Sequence, residues 1–554
     1  MSALRTLPEA LADAAGSGTG YSFIGSGGET RRSYAQMQAN AFAFARALGA
    51  AGIRRGDCVA LVLPDAEDFL TALFGASIAG VLPASLYSPA TAADLPRYFE
   101  LTSATLRACA ARAVVTTSAL APGFETLHST CPALEVVLAR ESLAADPISP
   151  TRMPALDDIA LIQFTSGSTS TPKGVVLTHR ILCANIDAIS GPAGMAAADG
   201  DTAVSWLPLN HDMGLVGMAL GAMYAGRPAV FLPPSLFVRR PVEWLRAIAR
   251  HRGTISFAPN FAYDLCVRRV KDHDLDGLDL SCWRVAGCGA EPIHAPTLDA
   301  FAQKMARAGF RASSFLPSYG LAEHVVAATF PPRDRLPRVD IVSLESLTER
   351  RIAQPADSGS AMAVISCGLP LPGHQLRIVD PHGRPVAERQ VGEILLAGPS
   401  VMLGYYRDDA LTSETIRDGW LHTGDLGYLS GGELFVCGRA KDLLIVNGRK
   451  YHPQDLEWAV DDLAGVRRGR VVAFGACDDG RPDRVIVVVE PSGTVAARDL
   501  IDSIRRRISD LFGLYVDEVA IVPSGTIGRT TSGKVQRSLT KARYERGELV
   551  AAAS

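Results

Sequence analysis

The sequence predicts an α/β protein with a large N-terminal body and a small α+β C-terminal unit, and three observations carry that reading. At 554 residues the chain exceeds one ordinary core, and at roughly 150 residues per domain it implies two to four units. Hydrophobic residues at 47% and charged residues at 20% describe a chain that buries sizeable cores rather than a disordered or fibrous one. Through the first half, short apolar runs alternate with Ala/Leu-rich amphipathic segments, the rhythm of βα units around parallel sheets.

The elements follow in order. Up to about Asp158, "CVALVL" (Cys58 to Leu63) and "ARAVVTT" (Ala111 to Thr117) read as strands. The most apolar run, "FLTALFGASIAGVLPASLY" from Phe69, reaches membrane-spanning length, but Gly75, Gly80 and Pro83 interrupt it. It is read as a buried helix running into a strand. "IALIQFTS", "PAVFLPP", "GTISFAPN" and "CWRVAGCGAEP" are further strands that end in small or turn residues, where open α/β sheets place their ligands. Beyond about Ile378, "LRIVD", "GEILLAGPSV" and "GELFVCGR" predict a smaller β-rich subdomain. A boundary at "GRAKD" divides the chain into 1–440 and 441–554. The second part holds strands "RVVAFGA" and "RVIVVVEP", a helix "AARDLIDSIRRRISDLFG" and a final loop "GTIGRTTSGKVQR".

Charge and cysteines exclude several classes. A net charge of −3 and a pI near 6.4 leave no basic surplus for nucleic acid. The ten cysteines are scattered singly, without CxxC or Cys/His spacing for zinc, which suits free thiols in a reducing cytoplasm. The N-terminus lacks the apolar core and cleavage site of a secretory signal.

One stretch carries chemistry by itself. "QFTSGSTSTPKGVVLTH" (Gln163 to His179) packs glycines and small hydroxyls before a single lysine, a composition that lets backbone N–H groups and hydroxyls converge on phosphate. It is not a Walker A loop: Lys173 is followed by Gly174 and Val175, so no hydroxyl follows the lysine to bind magnesium.

"TSGSTSTPKG" resembles the phosphate-binding signature of the AMP-forming acyl- and aryl-CoA synthetase superfamily, the adenylate-forming enzymes. Further motifs arrive in that superfamily's order: "SWLPLNHDMGL", "GAEP", "SYGLAE", "HTGDLGYL", "GRAKDLLIVNGRKYHPQDLE" and "RTTSGKVQR". The spellings "PNFAYDLC", "WRVAGCGAEPI" and "LIVNGRKYHPQDLE" look like those of its fatty acyl-AMP ligase branch. A long connection after His324, at about 338–362, resembles the insertion that marks this branch and is thought to restrain the C-terminal domain. The alternative for that segment is a tolerated surface loop.

The resemblance implies a large adenylate-forming domain of two αβ subdomains and a β-rich subdomain, with a small mobile C-terminal domain. It implies attack of a carboxylate on the α-phosphate of ATP, giving acyl-AMP and pyrophosphate. Transfer to the phosphopantetheine thiol of an acyl carrier protein follows, or to CoA as the alternative. By motif match, Thr165, Ser166, Gly167, Ser168, Thr169 and Lys173 would hold the β- and γ-phosphates. Glu323 would hold Mg²⁺ as a hard oxygen ligand. Tyr319, Gly320 and the turn Gly289, Ala290, Glu291, Pro292 would enclose the adenine, and Asp425 with Arg439 would meet the ribose. Lys534 would bridge carboxylate and α-phosphate, and Lys441 would sit at the hinge of a domain rotation. His211, Met213, Pro259, Phe261, Tyr263 and His324 would wall the acyl pocket. Asn210 and His324 depart from the usual spelling, which is aromatic at the first position and small at the second. The resemblance implies a ligase, and the charge, the scattered cysteines and the interrupted apolar run add the expectation that it is cytoplasmic and acts without nucleic acid or a membrane span. An ADP-forming ATPase or kinase, and a non-catalytic nucleotide-binding scaffold, are opposed by the full motif set.

Overall fold

The computed structural model describes residues 4–89, 95–143, 152–165, 172–333, 335–357, 360–446, 448–476, 484–493, 495–529 and 535–549. Two seven-stranded sheets make up its larger part. In one, the spatial order is Gly404–Tyr405, Lys173–Thr178, Ile159–Thr165, Leu82–Ser85, Cys58–Leu61, Ala113–Thr116 and Val136–Ala139. Its last five strands run parallel, and Lys173–Thr178 closes on Ile159–Thr165 antiparallel. In the other, the order is Phe315–Pro317, Val285–Cys288, Ile255–Ala258, Ala203–Ser205, Ala229–Phe231, Gly20–Gly25 and Gly28–Ser33, parallel except for the final hairpin strand. The first hairpin therefore joins the sheet built mainly from residues 203–317, and the chain then crosses to the other sheet. The regular rhythm of residues 1–158 concealed that crossing, because strand order is not local information.

The run from Phe69 folds as helix Ala66–Ala79 followed by strand Leu82–Ser85. Asp65 caps the helix, its side chain accepting the N–H of Asp68, and Gly80 ends it in the left-handed conformation at φ 67°. Gly75 lies so close to helix Tyr34–Ala50 that a Cβ there would stand 2.9 Å from the carbonyl oxygen of Ala41. The glycines that interrupt the apolar run thus close a helix pair and a helix end. Among the described residues no helix is long and apolar enough to cross a membrane.

An eight-stranded antiparallel sheet follows, and it begins well before Ile378: Thr329–Phe330, Val339–Ser343 and Ala361–Pro370 all belong to it. Strand Val339–Ser343 escapes sequence reading because its burial is inverted. Val339 and Ile341 face out while Asp340 faces in, accepting from the hydroxyl of Tyr428 (2.8 Å) and paired with Arg389 (3.1 Å). The segment Ser346–Arg350 that follows meets the C-terminal part of the chain through Glu349 and Arg449, 2.6 Å apart.

After a 3₁₀ turn at Ala440–Asp442 come the ribbon Leu444–Val446/Arg449–Tyr451 and helix Pro453–Val460. A three-stranded sheet (Val466–Ala476, Arg484–Pro491, Glu518–Ile521), helix Ala497–Phe512 and helix Arg537–Glu545 complete the chain. Arg537 ties this part together, gripping Glu457 (2.9 Å) and Asp442 (3.1 Å). Two apolar clusters, one on each face of the three-stranded sheet, form its own core.

Candidate active site

The carboxyl ends of the parallel strands open into one cavity of about 1790 Å³. Pockets for a single drug-sized ligand measure roughly 300–1,000 Å³, so this space exceeds what one such ligand needs. Pro259 to Phe261 follow strand Ile255–Ala258, the Gly289–Pro292 turn follows Val285–Cys288, and Ser318 to Gly320 follow Phe315–Pro317. Three adjacent strands thus deliver three of the expected motifs side by side.

The turns are locked to one another. Ala290 adopts φ 68°, a cost accepted where the backbone turns sharply. A Cβ on Gly289 would stand 2.9 Å from the Ser318 hydroxyl, and one on Gly320 2.0 Å from the carbonyl oxygen of Val326. Glu291, expected at the nucleotide, spends one oxygen accepting the N–H of Phe261 at 2.6 Å, in the first turn of helix Asn260–Arg269. Gly289, Ala290, Glu291, Pro292, Tyr319 and Gly320 all line the cavity.

Tyr319 is buried, and its hydroxyl donates to one oxygen of Asp425 (2.8 Å), while Arg439 Nε donates to the other (2.9 Å). Burial raises the Asp425 pKa above the ordinary carboxylate value, and the Arg439 charge opposes that rise. Among the described residues each carboxylate oxygen accepts one such side-chain bond, which leaves each a lone pair for a further hydroxyl donor.

The expected phosphate loop is carried by a hairpin: Thr165 and Lys173 face each other across antiparallel strands. Helix His179–Ser190 begins only after the second strand, capped by Thr178, whereas a Walker loop runs from a strand directly into a helix. Ser166, Gly167, Ser168 and Thr169 lie outside the described residues, as does Lys534. The residues flanking residues 530–534, Arg529 and Val535, pair as an isolated bridge and line the cavity.

Tyr405, which motif reading missed, joins two expected residues. Its hydroxyl donates to Glu323 Oε1 at 2.8 Å, and the Lys173 ammonium lies 5.5 Å from its ring centroid. Strand pairing explains the placement, since Tyr405 sits opposite Val175 beside Lys173. The Glu323 backbone is held in turn by the N–H of Met402 (2.9 Å). No local signal marks Tyr405, 82 residues from its partner.

The expected acyl wall divides. His211, Met213 and Phe261 line the cavity; Pro259, Tyr263 and His324 do not. Tyr263 is fully buried, donating to the Gly287 carbonyl (2.7 Å) among Trp283, Phe301 and Phe315. His324 is likewise fully buried, with Nδ1 3.1 Å from the Ala327 carbonyl oxygen and its ring 5.0 Å from that of His374. Burial, then His374, lowers its pKa to about 3, so the ring is neutral. Within the 3₁₀ turn Ala322–His324, Glu323 faces the cavity and His324 the core, and Val325 leaves the turn at φ 67°. Asn210 contributes its backbone: the Gln163 side chain donates to its carbonyl at 2.8 Å, linking the two seven-stranded sheets. Asp212 accepts the N–H of Met213 (2.7 Å), opening the π-helical segment Met213–Leu220.

Both parts of the chain wall the cavity. Lys441, Glu457, Trp458, Arg468 and Arg529 line it from the C-terminal side. The Trp458 ring lies 4.7 Å from that of His294, and the Arg529 guanidinium 5.8 Å from the centroid of Phe261.

The AMP-binding enzyme family matches residues 12–406, and the AMP domain of the Disco-interacting protein 2-like family matches residues 441–554. A Caulobacter vibrioides protein provisionally named an acyl-CoA synthetase is 36% identical over 550 residues, covering 98% of this chain and 96% of its own. A medium-chain-fatty-acid–[acyl-carrier-protein] ligase of Moorena producens is 33% identical over 557 residues, covering 96% and 93%. A solved structure from work on fatty acyl-adenylate ligases of E. coli and L. pneumophila superposes with a TM-score of 0.93 at 36% identity, covering 98% of this chain and 99% of that one.

Proposed function

Because the chain belongs to the AMP-binding enzyme family and, within it, to the fatty acyl-AMP ligases, we propose that its cavity activates a fatty or lipid-like carboxylic acid with ATP and passes the acyl group to a carrier-protein thiol. The observation that carries this reading is that Tyr319, Asp425, Arg439, Lys173 and Glu323 share one cavity with Met213 and Phe261. Nucleotide-binding groups and an apolar wall meet in a space large enough for both substrates.

Asp425 accepts the ribose hydroxyls, steadied by Arg439 and by the Tyr319 hydroxyl. The Tyr319 ring and the Gly289–Pro292 turn enclose the adenine. Thr165, Lys173 and residues 166–169 hold the phosphates that depart. His211, Met213 and Phe261 orient the acid so that its carboxylate oxygen lies in line with the α-phosphorus, which is where positioning supplies most of the rate. Lys534 bridges that carboxylate and the α-phosphate as negative charge develops.

Magnesium suits this donor set. It favours one or two carboxylates together with phosphate oxygens, and Glu323 presents a half-buried carboxylate on the cavity wall. Groups of three or more His, Cys, Asp or Glu able to hold a metal are absent among the described residues, so the ion would be shared between Glu323 and the nucleotide. When bound it neutralises phosphate charge.

We place the domain division at 440/441, with Lys441 at the hinge; the two family matches, which end at 406 and begin at 441, support it. The free and mostly buried thiols of the described residues suit a cytoplasmic setting. Transfer to CoA is the second reading, favoured by the name of the Caulobacter relative.

ATP–pyrophosphate exchange with a panel of carboxylic acids tests activation. Lys534→Ala is expected to abolish exchange while ATP binding persists; unchanged exchange removes the mechanism. Mass detection of products with CoA as sole thiol separates the acceptors: acyl-CoA formed as fast as acyl-AMP excludes the carrier-protein reading.

A further inference from the structure

Strand Arg484–Pro491 runs through five consecutive buried aliphatic residues, Val485 to Val489, and then places a carboxylate, Glu490, with no exposed surface. A buried charge is costly unless paired, and a sequence that breaks its local pattern usually does so for function. Glu490 Oε1 accepts the N–H of Ile527 at 3.0 Å, and Oε2 lies 3.1 Å from Arg467 and 3.9 Å from Arg470. Arg470 completes a clamp by donating to the carbonyl oxygen of the same Ile527 at 2.8 Å. Both backbone polar groups of one residue are thus gripped by an ion pair, and its side chain is buried with Val472, Phe474, Ile486 and Val488.

The neighbours of Ile527 are fixed as well. Arg543 donates to the Thr526 carbonyl (2.8 Å), the N–H of Gln536 donates to that of Gly528 (3.0 Å), and the Arg529 guanidinium donates to that of Gly469. Arg529 then pairs with Val535 across residues 530–534. Both stems of the segment that ends in Lys534 are therefore anchored at the cavity wall, and the deepest anchor is a charge.

We propose that Glu490 and Arg470 are positioning residues for acyl-adenylate formation, holding the stem from which Lys534 reaches the α-phosphate. This rests on Lys534 being the cation at that phosphate. A misplacement of about 1 Å at such a group costs up to about 10²-fold in rate, whereas the second half-reaction starts from a finished adenylate and does not use it.

The test is to measure the two half-reactions separately in the full-length enzyme. In Glu490→Gln, single-turnover acyl-adenylate formation is expected to fall about 10-fold with little change in the KM for ATP. Transfer of supplied acyl-adenylate to a phosphopantetheine thiol should stay within about 2-fold. Arg470→Gln, at a less buried position, should show the same split. Equal losses in both half-reactions, or unchanged adenylation beside an inactive Lys534→Ala, would each overturn the clamp. Full adenylation by Lys534→Ala alone would instead overturn the reading of Lys534, and the clamp with it.

Discussion

Glu323 and His324 are neighbours in a motif, yet one faces the cavity and the other the core. Motif matching supplies residue identity and leaves side-chain direction open, which is why His324 was expected in the acyl wall. Tyr263 is explained by helix period: on helix Asn260–Arg269 the cavity side is Asn260, Phe261, Asp264 and Val267, a stripe that leaves Tyr263 and Cys266 on the buried face. Tyr405 was beyond sequence reading, because strand pairing brings it to Glu323. It yields a prediction: Tyr405→Phe removes the hydroxyl that orients Glu323, so pyrophosphate release should fall about 10- to 100-fold, the range for one charge-assisted hydrogen bond. The half-saturating Mg²⁺ concentration should rise. A Mg²⁺ titration checks it, and an unmoved midpoint would mean that the hydroxyl does not serve the metal ligand.

At the level of elements, strands were legible where apolar residues ran together: Cys58–Leu61, Ile255–Ala258, Val285–Cys288 and Arg484–Pro491 lie where the sequence placed them. Strand Val339–Ser343 was not, because an ion-paired aspartate, Asp340, takes an inward position beside Val342 while Val339 and Ile341 face out. The Lys173 lysine context excluded a Walker loop, and the hairpin explains that exclusion: the loop opens into a second strand rather than a helix. The segment Ser346–Arg350 suggests a mechanical role. Leu347 is buried with Val342, Tyr428 and Phe435, and Glu349 reaches Arg449 beyond the proposed hinge. Replacing both Leu347 and Glu349 by alanine should loosen the C-terminal part, seen as faster tryptic cleavage around Lys441 and Lys450. The single Glu349→Ala change should do less, because an exposed ion pair contributes only about 0.2–1 kcal/mol. Cleavage at the rate of the parent chain would remove the tether.

Across the whole molecule, stability should depend on pH through histidines buried in both parts of the chain. His179 accepts the N–H of Leu7 on Nδ1 (3.1 Å), and burial lowers its pKa to about 4; His452, on the far side of the proposed hinge, is lowered by burial, then by Arg351, also to about 4. In the unfolded chain each binds a proton near 6.5. Between those values the unfolded state holds more protons, so stability is complete above about pH 6.5 and is lost as pH falls toward 4. The loss is about 1.4 kcal/mol per pH unit for each ring. Thermal unfolding followed from pH 7 to 4.5 should show a falling Tm, and His179→Gln should flatten the slope. An unaltered slope in that variant would exclude His179 as a contributor. Assembly was the least legible level, since nothing in residues 20–33 announces that they edge a sheet completed by residues 203–317. The cavity is the product of that assembly: its walls come from both sides of residue 440, with Trp458 on His294 and Arg529 over Phe261 across the seam. With the proposed hinge at Lys441, the cover over that cavity is a seam and not a continuous wall, and substitutions at Trp458 or Arg529 are expected to change how well it shuts out water without touching either substrate.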